Sequence, residues 1–387
     1  MRTAEVVIIG AGVVGASVAH HLAARGCRDV VVLDRGAGPG EGSTGRATGG
    51  FRAQFATAVN VRLSLLSREK LLRFEAETGV DPGFRRCGYL FLARGEAELA
   101  ALHAAQAVQR EQGLREARRV GPEEARELNP AVAAGGLAGG VFCPSDGFIR
   151  PLEILRGYAE AAARAGVRVE WGAEVVGFKR GRRGEVVSVL TKSEEIAAAH
   201  VVNAAGAWAA RVARQAGVEL PVRPLRRQVA VTGPFDLLPE EMPMTIFVED
   251  GFHLRVRDGR VLLLWPDEPR AADPFDTTVE DGWLAEVVAK AHARVPCLRR
   301  AVIDRASCWA GLYEMSPDKH AVVGRAPAVE NFYLANGSSG HGVMHAPALG
   351  QLLSEIILDG GAKALDVSAL RPTRFAEGEP NAAPEFL

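Results

Sequence analysis

A short stretch near the start of the chain constrains its fold more than any other part. An apolar run, Val6 to Ile9, enters the glycine turn G-A-G-V-V-G, which ends at Gly15 and opens a helical pattern. A second apolar run, Val30 to Leu33, ends at Asp34. Strand, glycine turn, helix, strand and acid in this order predict a βαβ unit that binds a dinucleotide.

Each glycine of the turn has a mechanical role in such a unit. Gly10 permits the tight turn, Gly12 lets the backbone approach a pyrophosphate, and Gly15 lets the helix pack close to the strand. The helix start offers free N–H groups to the phosphates, and the acid accepts hydrogen bonds from a ribose. The residues that we assign to the nucleotide in this unit are Gly10, Gly12, Val13, Val14, Gly15, Asp34 and Arg35. The alternative is a bare βαβ unit whose glycines serve packing alone.

The composition excludes several classes of protein. The chain has 387 residues, 48% of them hydrophobic and 24% charged, which is typical of a globular protein of two to three domains. A formal net charge of −1 gives no overall field that would recruit nucleic acid or an anionic membrane. Because the five cysteines are odd in number and show no C-x-x-C, we expect neither a disulfide framework nor a cysteine-based metal site. An immediate first strand and the lack of a long apolar run predict no signal peptide, no membrane span and a cytoplasmic location.

A glycine-rich segment, Gly36 to Gly50, follows the βαβ unit. By letters alone, Gly40-x-Gly42-x-x-Gly45 matches the dinucleotide fingerprint again, but no apolar strand precedes it and no helical pattern starts at once. Its glycines and hydroxyl groups favour a loop that lies flat against a ligand, and the alternative is a flexible surface loop. The residues of this loop that we assign to the ligand are Ser43, Thr44, Arg46, Ala47, Thr48, Gly49 and Gly50.

The remaining patterns predict a mixed α/β fold. Helices are expected at 57–78, 95–112, 122–128, 151–165, 279–294 and 343–358. Strands are expected at 88–93, 141–142, 167–169, 173–178, 185–190, 222–232, 244–248, 252–256, 261–265, 302–309, 321–324 and 332–335. This order predicts a Rossmann-like parallel-sheet domain, residues 1–83, 142–222 and 308–387, interrupted by a mostly antiparallel domain, residues 84–141 and 223–307.

Near its end the chain repeats the pattern of strand, glycine loop and helix start. The strand from Phe332 to Ala335 is followed by N-G-S-S-G-H-G, Asn336 to Gly342, and then by a helical pattern. We therefore expect two helix N-termini, from opposite ends of the sequence, to face one ligand.

Three stretches carry a resemblance to a known family: 6–34 with 42–50, 201–208, and 311–324 with 337–344. The most specific motifs are G-L-Y-E-M-S-P-D, Gly311 to Asp318, and G-H-G, Gly340 to Gly342. Over nearly the whole chain, their order and spacing resemble the D-amino acid oxidase superfamily of flavoproteins, in the branch of the sarcosine oxidases, the glycine oxidases and the proline and dimethylglycine dehydrogenases. The resemblance implies that the Rossmann-like domain binds FAD and that the antiparallel domain binds the substrate.

The resemblance also implies how FAD would be held. The βαβ unit would bind the ADP half, and the backbone of Val175 would bind the adenine side. The Ser43–Gly50 loop and the second helix start would surround the flavin ring, where free N–H groups can stabilise negative charge. The further residues implied are Ala205, Gly206, Trp208, Gly311, Leu312, Gly340, His341, Gly342, Val343 and Met344.

Three positions depart from the relatives. Monomeric sarcosine oxidases carry a flavin-linked cysteine where Gly311 stands, so the resemblance implies noncovalent FAD here. Glycine oxidases place a carboxylate-binding arginine near the position of Tyr313, so that ligand of the substrate is absent in this chain. Val261–Trp265 lacks the lysine that helps oxygen react in sarcosine oxidases, which favours a dehydrogenase over an oxidase.

The family reaction moves a hydride from the carbon beside an amine to the flavin, and the imine is then hydrolysed. The resemblance implies a small amino acid or N-methylated amine such as sarcosine, dimethylglycine or proline, with D-amino acids or glycine as the alternative. The substrate needs a carboxylate anchor, and arginine offers a planar bidentate fork. Arg52 is the first candidate for this anchor and Arg255 the second. The candidates for the pocket walls are His253, His341, Tyr313 and Trp265.

Two rival functions use the same fingerprint. An NAD-dependent dehydrogenase is one, although the second, strand-preceded fingerprint of flavin reductases that also bind NAD is missing mid-chain. A flavin-binding subunit or assembly factor without turnover is the other, and an intact carboxylate anchor argues against it. The electron acceptor (oxygen or another), a partner subunit and a homo-oligomer are left open.

Overall fold

The computed structural model describes residues 2–133, 135–267 and 273–382. The predicted domains also include residues 1, 134, 268–272 and 383–387, which lie outside the described residues.

Helices and strands follow the predicted order closely. The helices are α1 (Val13–Ala24), α2 (Ala58–Thr78), α3 (Glu96–Glu111), α4 (Pro122–Leu128), α5 (Pro151–Arg164), α6 (Ala209–Gln215), α7 (Asp281–Arg294) and α8 (Gly342–Asp359). The strands up to the middle of the chain are β1 (Arg2–Ile9), β2 (Val30–Leu33), β3 (Gly50–Phe51), β4 (Tyr89–Ala93), β5 (Arg118–Val120), β6 (Gly139–Cys143), β7 (Gly147–Phe148), β8 (Arg168–Glu170), β9 (Val175–Arg180), β10 (Val186–Thr191) and β11 (Glu195–Asn203). The later strands are β12 (Arg223–Pro234), β13 (Met244–Phe247), β14 (His253–Arg257), β15 (Arg260–Leu264), β16 (Trp309–Met315), β17 (Val322–Arg325) and β18 (Phe332–Asn336).

The first sheet has the strand order β17-β18-β11-β1-β2-β8, with β10 and β9 extending from β11. Its central neighbours, β18-β11-β1-β2-β8, are parallel. The second half of β1, Val6 to Ile9, and the whole of β2 are uninterrupted apolar residues because both faces of a parallel sheet are covered. On one face α1 packs between α5 and α8, and the Ser17 hydroxyl donates a hydrogen bond of 2.8 Å to the carbonyl oxygen of Ala346. The two helices that begin at glycine loops therefore lie side by side.

The second sheet has the order β16-β12-β15-β14-β13-β4-β6-β5. Every neighbouring pair is antiparallel except β13 and β4, which are parallel. The predicted mixed α/β fold is confirmed. The predicted division into domains stays a prediction, and β16, which begins just after the proposed boundary at 308, is hydrogen-bonded into the second sheet along the whole of its length.

The strand predicted at 302–309 is wrong. Ile303 forms an isolated bridge with Thr232, Arg305–Ser307 is a short 3-10 turn, and the strand begins only at Trp309. Asp304 explains the difference, since its carboxylate accepts hydrogen bonds of 2.7 Å from both Ser307 and Arg260. Such local side-chain bonds compete with the ladder of a strand.

No helix in the described part of the chain is long and apolar enough to cross a membrane.

Candidate active site

A cavity of about 620 Å³ extends from the carboxyl ends of β1 and β2 to the inner strands of the second sheet. This volume lies within the range of cofactor and small-molecule sites. All the predicted cofactor residues line it except Gly15. Of the residues predicted for the carboxylate anchor and the pocket walls, Arg52, His253, Tyr313 and His341 line it, whereas Arg255 and Trp265 do not.

The glycine turn at one end has little room for side chains. Gly10 has a φ of +106°, and a β-carbon there would lie 2.4 Å from the carbonyl oxygen of Ala204. A β-carbon on Gly15 would lie 1.9 Å from the carbonyl oxygen of Gly10. Gly15 therefore acts by bringing α1 close to β1, which explains why it does not line the cavity.

The Asp34 carboxylate holds the turn and the following loop together. Its two oxygens accept hydrogen bonds of 2.7 Å from the backbone N–H groups of Ala11 and Gly36. Each carboxylate oxygen has a second lone pair. The side chain can therefore also accept hydrogen bonds from ribose hydroxyls in the cavity that it lines.

The glycine-rich loop is fixed on both sides by hydrogen bonds. The Thr44 hydroxyl accepts a bond of 3.1 Å from the N–H of Val13 at the start of α1. On the other side, Ser43 donates to the carbonyl oxygen of Leu312 at 2.7 Å, and Arg46 donates to that of Ala310 at 2.8 Å. The loop is thus a wall of the cavity between α1 and β16, and no helix starts within its second glycine pattern.

Aromatic stacking closes the end of the cavity near Asp34. The Arg35 guanidinium lies 3.7 Å from the ring centre of Trp208, which stacks on Phe275 at 5.4 Å between ring centres. Arg211 covers the Phe275 ring at 3.8 Å. Phe275 comes from the inserted section of the chain, and no sequence pattern singled it out.

The start of α8 presents open N–H groups to the other end of the cavity. Gly342, Val343 and Met344 form its first turn, which contains no acidic side chain. The first N–H groups of a helix have no partner within it. Gly340, with a φ of +92°, is required just before this turn because the Tyr313 ring packs 2.5 Å from where its β-carbon would be. Both helix N-termini expected from the sequence therefore face this one cavity.

Arg52 lies buried between the two sheets. One guanidinium nitrogen, Nη1, donates to the carbonyl oxygen of Gln54, and Nη2 lies 3.3 Å from Nε2 of His341. The Phe55 ring packs against the guanidinium at 3.8 Å. Burial lowers the pKa of Arg52 to about 10, so the side chain is still cationic at neutral pH.

Two histidines beside Arg52 are uncharged at neutral pH. Burial lowers the pKa of His253 to about 4 and that of His341 well below its usual range, and the Arg52 charge adds to both effects. Nδ1 of His253 lies 2.8 Å from the carbonyl oxygen of Gly251, which can only accept, so Nδ1 carries the proton. Nε2 of His253 is left as an acceptor. By the same reasoning Nε2 of His341 accepts from Arg52.

Arg255 and Trp265 are engaged away from the cavity. Arg255 donates hydrogen bonds of 2.7 and 3.1 Å to the carbonyl oxygens of Thr48 and Gly49, and it packs on the ring of Phe148. It supports the glycine-rich loop from behind. The Trp265 ring lies 4.3 Å from the ammonium group of Lys290.

Sequence patterns did not identify several residues of the cavity wall. These are Tyr89, Phe91, Arg227, Met244, Ile246, Leu264, Glu314 and Ser338. Most lie on strands of the second sheet, where alternation predicts which residues share a face but not which face meets the cavity. Glu314 and Ser338 lie inside the quoted motifs, so their position next to the assigned residues was the available signal.

The residues present suit FAD. The glycine turn and α1 offer N–H groups for a pyrophosphate, and Asp34 offers acceptors for a ribose. The second helix start suits the charge that a flavin ring gains. Glu314 Oε2 and Ser338 Oγ are buried beside it without hydrogen-bond partners among the described residues, as expected where a polar ligand binds.

Comparison with known proteins identifies the class. The family model described as DAO, FAD dependent oxidoreductase, matches residues 5–356. The chain therefore belongs to this family of FAD-dependent oxidoreductases, and its cofactor is FAD.

Three relatives show the range within the family. The structure of L-proline dehydrogenase from P. horikoshii superposes with a TM-score of 0.91 at 31% identity, covering 98% of this chain and 100% of that one. Glycine oxidase from Geobacillus kaustophilus is 30% identical over 91% of this chain and 92% of its own length. Mitochondrial dimethylglycine dehydrogenase from Rattus norvegicus is 32% identical over 97% of this chain but only 45% of its own length. The chain thus spans about half the length of that relative.

Proposed function

We propose that the protein oxidises a small amino acid with a secondary or tertiary amine, such as sarcosine, N,N-dimethylglycine or proline. Bound FAD supplies the hydride acceptor, and water then hydrolyses the imine. The observation that carries this proposal is Arg52, a buried cation in the cavity wall that forms no ion pair within the described ranges of the chain.

A buried cation without a carboxylate partner is costly, and an anionic ligand removes that cost. Asp146, the carboxyl whose charge acts on Arg52, accepts hydrogen bonds instead from the Ala53 N–H at 2.8 Å and the Gln54 amide at 3.0 Å. Burial raises the pKa of Asp146 to about 6, and Asp146 and Arg52 favour each other's charged forms. The two side chains nevertheless form no salt bridge, so Arg52 has no carboxylate in direct contact among the described residues. Guanidinium has five N–H donors, and the contacts to Gln54 and His341 leave several of them for a substrate carboxylate.

The other walls favour an uncharged amine, which hydride transfer requires. The apolar and aromatic residues that line the cavity are Tyr89, Phe91, Met244, Ile246, Leu264 and Tyr313. An amine with a pKa of ~10 costs ~4 kcal/mol to deprotonate at pH 7, and apolar surroundings lower that cost by disfavouring the charged form. Neutral His253 offers Nε2 as an acceptor for an amine N–H.

The reaction is tested by mixing the holoenzyme without oxygen with a panel of amino acids and following the bleaching of the flavin absorbance. Sarcosine, N,N-dimethylglycine or proline is expected to bleach it. Bleaching by primary D-amino acids or glycine alone would replace the proposal with the alternative suggested by the glycine oxidases. Dithionite reduction is the control that shows that the flavin can accept electrons. If dithionite bleaches the flavin but no amino acid does, the result supports the alternative of a flavin-binding subunit without turnover.

FAD is expected to be bound noncovalently. The Gly311 position, where monomeric sarcosine oxidases attach the flavin, has no nucleophile, and a β-carbon there would lie 3.0 Å from Cβ of Arg46. Acid precipitation should therefore release the yellow colour into the supernatant. Colour retained in the washed pellet would show a covalent link at another residue.

We also propose that the acceptor is not oxygen, so that the enzyme is a dehydrogenase. The support is that no lysine lines the cavity in the ranges that the structure describes. A partner subunit or homo-oligomer and the cytoplasmic location stay predictions.

A further inference from the structure

Four buried polar side-chain atoms from β16, β18 and the turn after β18 lie close together in the fold, and none has a partner in hydrogen-bond geometry among the described residues. They are Oε2 of Glu314, Nδ2 and Oδ1 of Asn336, and Oγ of Ser338. Glu314, on β16, and Ser338, in the segment between β18 and α8, also line the cavity. Unpartnered buried polar atoms are rare, because each one loses its hydrogen bonds to water without gaining others. A group of them at the cofactor cavity therefore calls for a functional explanation.

The backbone holds Glu314 in a defined position. The N–H of Ser338 donates to Oε1 of Glu314 at 3.2 Å, and the N–H of Ser339 donates to its backbone carbonyl oxygen at 3.1 Å. An isolated bridge joins Met315 to Ser338. Oε1 thus has a backbone donor, whereas Oε2 has no partner in hydrogen-bond geometry, although the side chains of Ser338 and Asn336 lie near the carboxyl.

Burial raises the pKa of the Glu314 carboxyl to about 7, partly offset by the polar groups of Ser338, Gly337 and Asn336. Charged and titratable groups on the bordering elements are otherwise engaged. On β12, Arg226 is ion-paired with Asp276 and Glu280. Arg227, also on β12, donates to the backbone carbonyl oxygens of Arg226 and Asp267. The other charged and titratable groups nearby are Arg223 on β12, Tyr313 on the same strand, Asp318, Lys319 and His320 in the turn after β16, and His341 before α8. The structure shows no ion pair between these groups and Glu314.

We propose that Glu314 is a proton-accepting residue that takes up one proton from water when the bound flavin is reduced. Negative charge gained in the cavity favours the neutral form of a buried carboxyl. Charge near a flavin in turn adjusts how readily it accepts electrons. Glu314 thereby offsets the charge that arrives at the start of α8.

The proton balance is simple. One O–H bond forms at Oε2 of Glu314, and one O–H bond of a hydronium ion in the surrounding water breaks. No electron moves to or from Glu314. The electrons come from the amino acid in the proposed function, but the inference needs only the FAD cofactor and is tested with electrons from an electrode.

The test is the midpoint potential of the flavin in the holoenzyme, measured by spectroelectrochemistry between pH 6 and 9. Above about pH 7, where Glu314 is ionised before reduction, the wild type should take up one more proton than Glu314→Gln. Each additional proton taken up changes the equilibrium constant of flavin reduction tenfold per pH unit. For a two-electron couple, the plot of midpoint potential against pH is therefore steeper in the wild type by about 30 mV per pH unit. Below that pH the two slopes should agree, since Glu314 is then already protonated.

Glu174→Gln is the matched control. It removes the same charge from a glutamate that lines the far end of the cavity, beside Val175, and its slope should equal that of the wild type. Equal slopes for wild type and Glu314→Gln above pH 7 would overturn the inference.

A measurement on the wild type covers the case in which Glu314→Gln does not retain FAD. The infrared difference spectrum between reduced and oxidised enzyme should show a new carboxylic C=O band. Labelling glutamate with ¹³C should shift this band, which separates Glu314 from the buried Asp146. The lack of any label-sensitive band would contradict the proposal.

Discussion

Arg52→Ala should raise the substrate concentration needed for half-maximal flavin bleaching by roughly ten- to hundredfold. A hydrogen bond to a charged group contributes about 1.5–3 kcal/mol, and the variant removes the fork that would hold the carboxylate. Arg52→Lys keeps the charge but not the fork, so binding should weaken less and some bleaching should survive. Anaerobic stopped-flow absorbance over a range of substrate concentrations measures all three proteins directly.

The matched control is Arg211→Ala. This arginine also lines the cavity, but at the far end, where it covers the Phe275 ring. Its loss should leave the substrate affinity of the FAD-loaded enzyme unchanged. If Arg52→Ala bound substrate as tightly as the wild type, the anchor would have to be sought elsewhere, with Arg255 tested next.

Gly10→Ala should destabilise the protein by about 2–5 kcal/mol and reduce its FAD content. A positive φ costs an L-residue roughly 1–2 kcal/mol, and overpacking a tight site typically costs 1–3 kcal/mol more. The two shortest contacts that the new methyl group would make, 2.4 and 2.8 Å, are to backbone atoms of Ala204, which cannot rotate away as a side chain does. Urea unfolding of the apoprotein and the flavin absorbance per mole of purified protein measure the two effects.

Gly26→Ala separates steric clash from backbone strain. Gly26 has a similar φ of +93°, but nothing lies within 4 Å of the position of its β-carbon. This variant should show the smaller, conformational cost of about 1–2 kcal/mol and normal FAD content. Equal losses in the two variants would mean that the close approach of β1 and β11 at Gly10 is unimportant.

The local parts of the site could be predicted from sequence because their physics is local. A glycine turn between an apolar strand and a helical pattern defines a helix N-terminus within a dozen residues. α8 begins within one residue of the predicted point, and α1 begins inside the glycine turn, at Val13. The apolar runs of β1 and β2 marked them as central strands of a parallel sheet. Asp34 followed from its place at the end of β2.

Arginine candidates show where such reasoning stops. Arg52 and Arg255 have the same chemistry, and both come close to the glycine-rich loop. Pairing of β14 with β15 and packing on Phe148 direct Arg255 behind the loop, where backbone carbonyl oxygens satisfy it. Arg52 instead lies in the cavity wall without an anion. Strand register and side-chain direction, not residue type, separate the two.

The features that the sequence patterns failed to predict depend on contacts between residues far apart in the chain. The strand predicted at 302–309 gave way to hydrogen bonds of Asp304, one of them from Arg260 on another strand. Phe275 reaches Trp208 only through the docking of the inserted section. In the sequence, Glu314 is indistinguishable from an ordinary charged residue of a strand. Its Oε2 atom lacks a partner because the turn after β18 covers the side chain in the folded protein. Periodicity and turn chemistry act over a few residues, whereas burial and partner choice depend on segments that meet only in the folded chain.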